Sequence, residues 1–469
     1  MAKSYDSIPP QSTGLEGDDL KAILLDDDDT VRTFFHLIPH PADLKEAILT
    51  VESEEWPRLI DLIEATERRA EVISLLDEGD RETLLRLISP DKLTPLLREM
   101  ETDDAADWIG DLPTKELQEK ALQGLEKEDR EDVAGLLLWP EDSAGGIMQV
   151  ERAQVHEDMT LIETVSKVRE LVEDDLEVLS IWVVDRNEKL VGEIPIVDLL
   201  LHKGSTLVRD ICEPAVTSVG PLEDQETVAQ IFRKYDLISL PVVDENKKLL
   251  GRIAVDDVVD VITDEANEDA LKMAGTSAEE LLYRSEVLSV AKIRLPWLAI
   301  NLMGSLVSAF MIYLFEPVIE KAIVIAAFVP VITAMCGNVG TQSATIFLRG
   351  MATGRLDVSD IPQIFSRELR IGAIMGIACG LLVGAFATLF FPVGDAINST
   401  YLGLIVALSM VAAMTVSAAL GAIAPAGMKQ VGIDPAVAAG PFVTTVNDII
   451  GICIYMGTAI YFLDALTHG

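Results

Sequence analysis

The 469-residue chain has little of what builds covalent or soft-metal frameworks: four cysteines and five histidines. Cys212, Cys336, Cys379 and Cys453 form no C-x-x-C pair, and three of them fall in apolar segments. That pattern excludes a disulfide scaffold and a zinc ribbon. Basic residues are also scarce, 37 Lys and Arg against 77 Asp and Glu, a formal net charge of −40. A surface this negative repels phosphate backbones, so no nucleic-acid partner is expected. There is no P-loop, nucleophile elbow or Cys–His dyad, and no enzyme activity is expected. The first residues, MAKSYDSIPPQSTGLEGDD, lack the basic, apolar and small-residue order of a secretory leader. Residues 1–20 are expected to be disordered.

The charge is unevenly placed. From Ala291 onward there are eight Lys/Arg and nine Asp/Glu, against 29 and 68 before it, so the first 290 positions carry −39. The rest is apolar in five stretches, each long enough to cross ~30 Å of hydrocarbon as a helix. They run roughly Leu295–Phe315, Ala322–Phe347, Ile371–Phe391, Tyr401–Ala424 and Ala436–Leu463. Lys292, Arg294, Arg349, Arg355, Arg367, Arg370 and Lys429 fall on one side of these spans. By the positive-inside rule this orients a multi-pass protein of the cytoplasmic (cell inner) membrane. The acidic part is then cytosolic and the C-terminus outside.

Residues 21–143 read as short helices broken by Pro and Asp, which points to an all-α superhelical domain. A repeat follows. EVLSIWVVDRNEKLVGEIPIVDL (Glu177–Leu199) returns 59 residues later as DLISLPVVDENKKLLGRIAVDDV (Asp236–Val258). Each copy reads as strand, polar turn, strand and helix, with an amphipathic helix ahead of it. The pair resembles tandem CBS modules, at 144–206 and 207–262, regulatory units that bind nucleotides or metals. Asp198 and Asp257 keep the acidic position of the nucleotide pattern. Pro195 and Ala254 stand where it has a hydroxyl, which counts against nucleotide binding. A connecting helix over 263–290 is expected to lead into a five-helix pore domain at 291–469.

A carboxylate inside a bilayer costs about 2.5–3.5 kcal/mol on insertion scales, so it needs a reason. Asp448 sits mid-way along the fifth span, with Thr444, Thr445 and Asn447 near it in sequence. The second span offers CGNVGTQSAT (Cys336–Thr345), small residues with amide and hydroxyl oxygens. Oxygen ligands with one carboxylate suit a hard, hydrated cation such as Mg2+. Five helices are few to enclose a pore, so a twofold dimer bringing two Asp448 residues together is reasonable.

These residues resemble the MgtE family of magnesium channels from about residue 21 to the end. The resemblance rests on WPEDSAGGIM (Trp139–Met148), the CBS pair, RLPWLAINL (Arg294–Leu302), CGNVGTQSATIFLRGMATG (Cys336–Gly354) and GIDPAVAAGPFVTTVNDIIGICIY (Gly432–Tyr455). It implies a homodimer in the lipid bilayer with a pore lined by the second and fifth spans. Asp448 would bind hydrated Mg2+ there, with Gly337, Asn338, Thr341, Thr345 and Thr444 nearby and Asp434 at the cytosolic mouth. Asp434–Pro435 also reads as a helix N-cap. Mg2+ would be both transported ion and regulator, closing the pore by bridging acidic surfaces. The matching acids are Asp103 and Asp107 in the helical domain, and Glu226, Asp236, Asp257 and Asp260 in the second CBS module. Glu265, Glu268 and Asp269 match on the connecting helix. Taken singly, each acid also reads as solvated surface. Thr341 and Gly440 depart from the family pattern, which often has Asn at both, and this bears on selectivity among Mg2+, Mn2+, Co2+ and Ca2+. The alternatives are a coupled secondary transporter of divalent cations and a membrane-bound CBS sensor without transport.

Overall fold

A computed structural model describes residues 17–173, 178, 180–277, 280, 287–356, 361–391, 398–437, 440 and 442–462. It divides into two compact units, Met1–Ile262 and Thr263–Gly469. Most of the segment expected to be disordered lies outside the described residues. The helical part, however, begins at Gly17, within that segment.

The first unit opens with ten short α-helices between Gly17 and Leu136. Their lengths follow from local signals. Asp27 caps Asp28–Leu37 and accepts from the backbone N–H of Asp29 and Thr30. Pro41 and Pro90 each open a helix, where a missing N–H costs nothing. Each helix buries one stripe, with Leu44, Leu59, Ile73, Leu84, Trp108 and Ile109 at the centre. This core is continuous with Val228, Phe232, Leu240 and Ile253, so the helical domain and the second CBS module share one interior.

The repeat is structural as well as sequential. In the first copy β1 (Ala153–His156) pairs in parallel with β2 (Ile181–Val184), which pairs antiparallel with β3 (Leu190–Ile194). In the second copy β4 (Ser239–Val243) pairs antiparallel with β5 (Leu249–Ala254), and Val219 bridges Val242 in parallel where the first copy has β1. Both hairpins shift register at the same place, Val183/Val184 and Val242/Val243. Both turn on a residue of positive φ, Glu188 at 61° and Lys247 at 64°. Asp185 and Asp244 fasten these turns by accepting two backbone N–H groups each. The repeated glycines also have a cause: a Cβ on Gly192 would stand 2.0 Å from the Glu213 carbonyl, and one on Gly251 2.6 Å from that of Gln149.

The copies differ in their closing helix. The first has four residues, Asp198–Leu201. The second has twenty, Val255–Ala274. This helix runs into the segment expected to connect the modules to the spans, 263–290. It starts inside the second module and ends before Gly275, at φ 81°, as helices commonly do at glycine. Residues 278–279 and 281–286 lie outside the described part.

Among the described residues the second unit has five helices long and apolar enough to cross a membrane: Val287–Leu314, Ile323–Ala352, Ile361–Phe390, Ser399–Gln430 and Val443–Tyr461. The second begins as a 3-10 turn, Ile323–Phe328, before the α-helix Val329–Ala352. The third starts ten residues earlier than the apolar run implies, because an amphipathic turn carrying Arg367, Glu368 and Arg370 precedes it. The fifth is preceded by a short separate helix, Pro435–Val437. Third and fourth spans touch backbone to backbone. Gly372, Gly376, Gly380 and Gly384 recur every fourth residue, and a Cβ on any of them would lie 2.7–2.8 Å from backbone atoms of the fourth span. Small residues at this spacing bring membrane helices together. The first span buries none of its residues within the chain.

Candidate cation sites

In the second unit, helical periodicity puts Ala334, Asn338, Thr341 and Thr345 on one side of the second span. All four are at least partly exposed, whereas Cys336, Gly337, Val339, Gly340, Ser343 and Ala344 are buried. The fifth span comes against the adjoining buried side, at Cys336, Gly337 and Gly340. A Cβ on Gly337 would meet Thr444 Cγ2 at 3.4 Å and Asp448 Oδ1 at 3.9 Å, ordinary contact distances, so Gly337 lies beside both. Asp448 is half-buried and Thr444 exposed, and the Thr444 hydroxyl donates to the Gly440 carbonyl at 3.3 Å.

Asn447 faces the other way and is fully buried. A Cβ on Gly340 would stand 1.8 Å from its Nδ2, so this glycine lets the amide enter the bundle. The expected pore residues Gly337, Asn338, Thr341, Thr345, Thr444 and Asp448 thus lie on two adjoining helices with exposed oxygen-bearing faces.

Asp434 does two jobs. Its Oδ1 accepts from the Ala436 N–H at 2.7 Å, the expected N-cap. Its Oδ2 takes the Lys272 ammonium at 2.6 Å, and Lys272 also bonds Glu268 at 2.6 Å. Glu265 and Asp269 lie half-buried on the same helix. Sequence reasoning missed Lys272, although its i,i+4 spacing from Glu268 was readable. It also missed Glu368, which was left outside the third span. Glu368 is 7% exposed and accepts from the Ser343 hydroxyl at 2.8 Å.

In the first unit the acids crowd. Gln149 Nε2 donates to Glu101 Oε2 at 2.6 Å and lies 3.4 Å from Asp257 Oδ2. One amide group therefore answers both carboxylates. Asp103 is buried beside them, and its Oδ1 finds no hydrogen-bond partner among the described residues. Burial, with Asp257 and Asp104 as neighbours, holds the Asp103 carboxyl well above the usual range. Burial, then Asp256 and Glu101, lift Asp257 to about 8. Burial, then Glu101 and Asp107, lift Asp104 to about 7.

Asp107 is not in this group's open part. It pairs with Arg81 at 3.2 Å, and Arg81 also holds Asp111 at 2.5 Å. Glu226 accepts from Gln230 at 3.3 Å. Asp236 is exposed at the left-handed end of its helix, φ 51°, and Asp260 is exposed. The structure therefore joins Asp103 and Asp257, adds Glu101, Asp104 and Gln149, and ties Asp107 to an arginine. Among the described residues no three His, Cys, Asp or Glu side chains are arranged to hold a metal directly. Mg2+ keeps much of its water, so paired carboxylates reaching it through that shell fit this donor set better than a stripped ion does.

A bundle of membrane-length helices with an acidic helical domain and a CBS pair ahead of it defines the class: a multidomain membrane protein with an oxygen-bearing polar face. Comparison with known families carries this further. Residues 329–458 match the family described as MgtE, divalent cation transporter; residues 39–142 match the MgtE intracellular N domain; residues 208–264 match the CBS domain. The magnesium transporter MgtE of Thermus thermophilus is 33% identical over 90% of this chain and 96% of its own length. That of Bacillus subtilis is 30% identical over 95% of this chain and 98% of its own. A solved cytosolic domain of the Mg2+ channel MgtE in complex with ATP is 31% identical, covers 52% of this chain and 100% of that one, with a TM-score of 0.49. The chain belongs to the MgtE family.

Proposed function

We propose that the chain carries Mg2+ into the cell across the cytoplasmic membrane. Two copies form the pore, each contributing its second and fifth spans, with Asp448 at the ion-binding position. The observation that carries this reading is the partly exposed polar side of the second span beside Asp448 and Thr444. Amides, hydroxyls and a carboxylate facing lipid would be costly, whereas facing a wet path they replace part of an ion's outer shell. Asn338, Thr341 and Thr345 then contact the hydrated ion, and Asp434 marks the cytosolic mouth.

Cytosolic Mg2+ would close this pore. The crowded acids Glu101, Asp103, Asp104 and Asp257 repel one another, and a divalent ion among them relieves that repulsion. Asp107, Glu226, Asp236 and Asp260 extend the same acidic surface, and Glu265, Glu268 and Asp269 supply a second set near Asp434. The relatives' names, magnesium transporters throughout, support Mg2+ as the ion.

The test is divalent flux into liposomes holding the full-length protein. Wild type should carry Mg2+, and Asp448→Asn should lose about 100-fold or more of that flux. Full flux from a well-folded Asp448→Asn protein would end this reading. A coupled transporter is the second reading, favoured by the buried Glu368 on Ser343. Flux that persists when proton and sodium gradients are collapsed would exclude it.

A further inference from the structure

The part of the helix Val255–Ala274 that belongs to the second unit is held at its last turn by three contacts. The Lys272 ammonium bridges Glu268 and Asp434, at 2.6 Å each. The Met273 side chain packs against the cluster containing Phe347, Ala436 and Val443. The Met273 carbonyl oxygen lies 2.5 Å from where a Cβ on Gly440 would stand, so only glycine at 440 lets the helix come this close. Gly440 is a position where the chain departs from the family pattern, and here the departure has a geometric use.

Both oxygens of Asp434 are engaged, one by the Ala436 N–H and one by Lys272. A cation arriving at this carboxylate meets a site already holding a positive charge. Lysine suits such a role: its ammonium is a compact, strongly hydrated point charge on a flexible stem, so it resembles a hydrated ion and can be displaced by one. Glu268 and Asp434 together outweigh the one ammonium, leaving a net negative charge that still attracts a cation. Burial opposes the charge on Lys272, but its two carboxylate partners outweigh burial and hold its pKa above the ordinary lysine value.

We propose that Lys272 is a built-in cation at the mouth of the pore. Its ammonium occupies the place on Asp434 that a hydrated divalent ion leaving for the cytosol would take. The proposal rests on the Mg2+-conduction reading and deepens it by naming the group that guards the mouth.

The experiment compares wild type, Lys272→Met and Lys272→Arg, each full-length in liposomes with low internal Mg2+. Mg2+ influx through Lys272→Met should rise about fivefold or more, the low end of typical coupling between sites. Lys272→Arg, which keeps the charge, should stay near wild type. In the same proteins, amide hydrogen exchange over residues 265–274 should quicken in Lys272→Met and not in Lys272→Arg. A purely structural ion pair would quicken exchange without raising flux, and that result overturns the proposal, as does Lys272→Met flux equal to or below that of a conducting wild type. If wild type carries no Mg2+ at all, the conduction reading falls first and takes this proposal with it.

Discussion

Asp257 and Asp448 are both half-buried carboxylates, yet their surroundings are opposite. Asp257 lies in a crowd, with Asp256, Glu101 and Asp104 all raising its pKa and one shared amide to answer it. Two like charges about 6 Å apart at an effective dielectric of about 20 repel by about 3 kcal/mol. Such a group is quiet only when protons or cations join it. Asp448 lies among small and hydroxyl-bearing residues, beside Gly337 and one helical turn from Thr444. Within one chain no second acid crowds it, so the only like charge it would meet in the proposed pore is the same residue of a second copy. The crowd suits a sensor that rearranges, and the lone acid suits a conduction site.

The largest expected effect separates the two directly. Asp448→Asn should lose flux about 100-fold, while Asp257→Asn should keep wild-type flux in low Mg2+ and lose only its inhibition by cytosolic Mg2+. Equal damage from both would erase the distinction. Next in size is Arg81→Met, which strands Asp107 and Asp111 in a partly buried position. It should destabilise the first unit by about 3 kcal/mol, visible as an earlier unfolding transition. An unchanged transition would make Arg81 a bystander.

The third effect is pH dependence. Carboxyls raised to about 7 at Asp104 and about 8 at Asp257 bind protons in the docked arrangement that they lose when it opens. Their favourable contribution is complete below the open-state value near 4, falls as pH rises above it, and is fully lost above about 7 to 8. Without divalent ions, proteolysis of the joint between helical domain and CBS pair should therefore quicken over that range, and added Mg2+ should suppress it. A flat profile would mean these acids do not share one interior. The smallest effect is that Asp257→Asn should raise the Mg2+-free unfolding midpoint by about 2 °C and blunt its response to Mg2+.

The repeat was legible because its punctuation is local. Asp185/Asp244 and Gly192/Gly251 each serve a turn or a close approach fixed by residues within the same module. The spans were legible as apolar runs, but the start of the third was not, since Arg367 and Glu368 end a hydropathy window without ending a helix. Partners distant in sequence were not legible either. Nothing near Asp107 announces Arg81, and nothing near Asp257 announces Gln149. The end of the helix Val255–Ala274 could have been read from Gly275, and the charge of Lys272 was visible without the fold that places it on Asp434. The polar set around Asp448 was found because acids, amides and hydroxyls are rare inside apolar runs.

The glycines of the third span have a consequence for inheritance. Where backbone meets backbone there is no side chain to adjust, so any larger residue at 372, 376, 380 or 384 must force the two helices apart. Ile374, Ile377, Leu381 and Leu382, on the exposed side of the same helix, answer only to their surroundings and can be exchanged for other apolar residues. Among descendants of this sequence the third span should therefore age unevenly. One edge would stay unaltered at every fourth letter while the opposite edge drifts, a record of the seam written in what selection forbids.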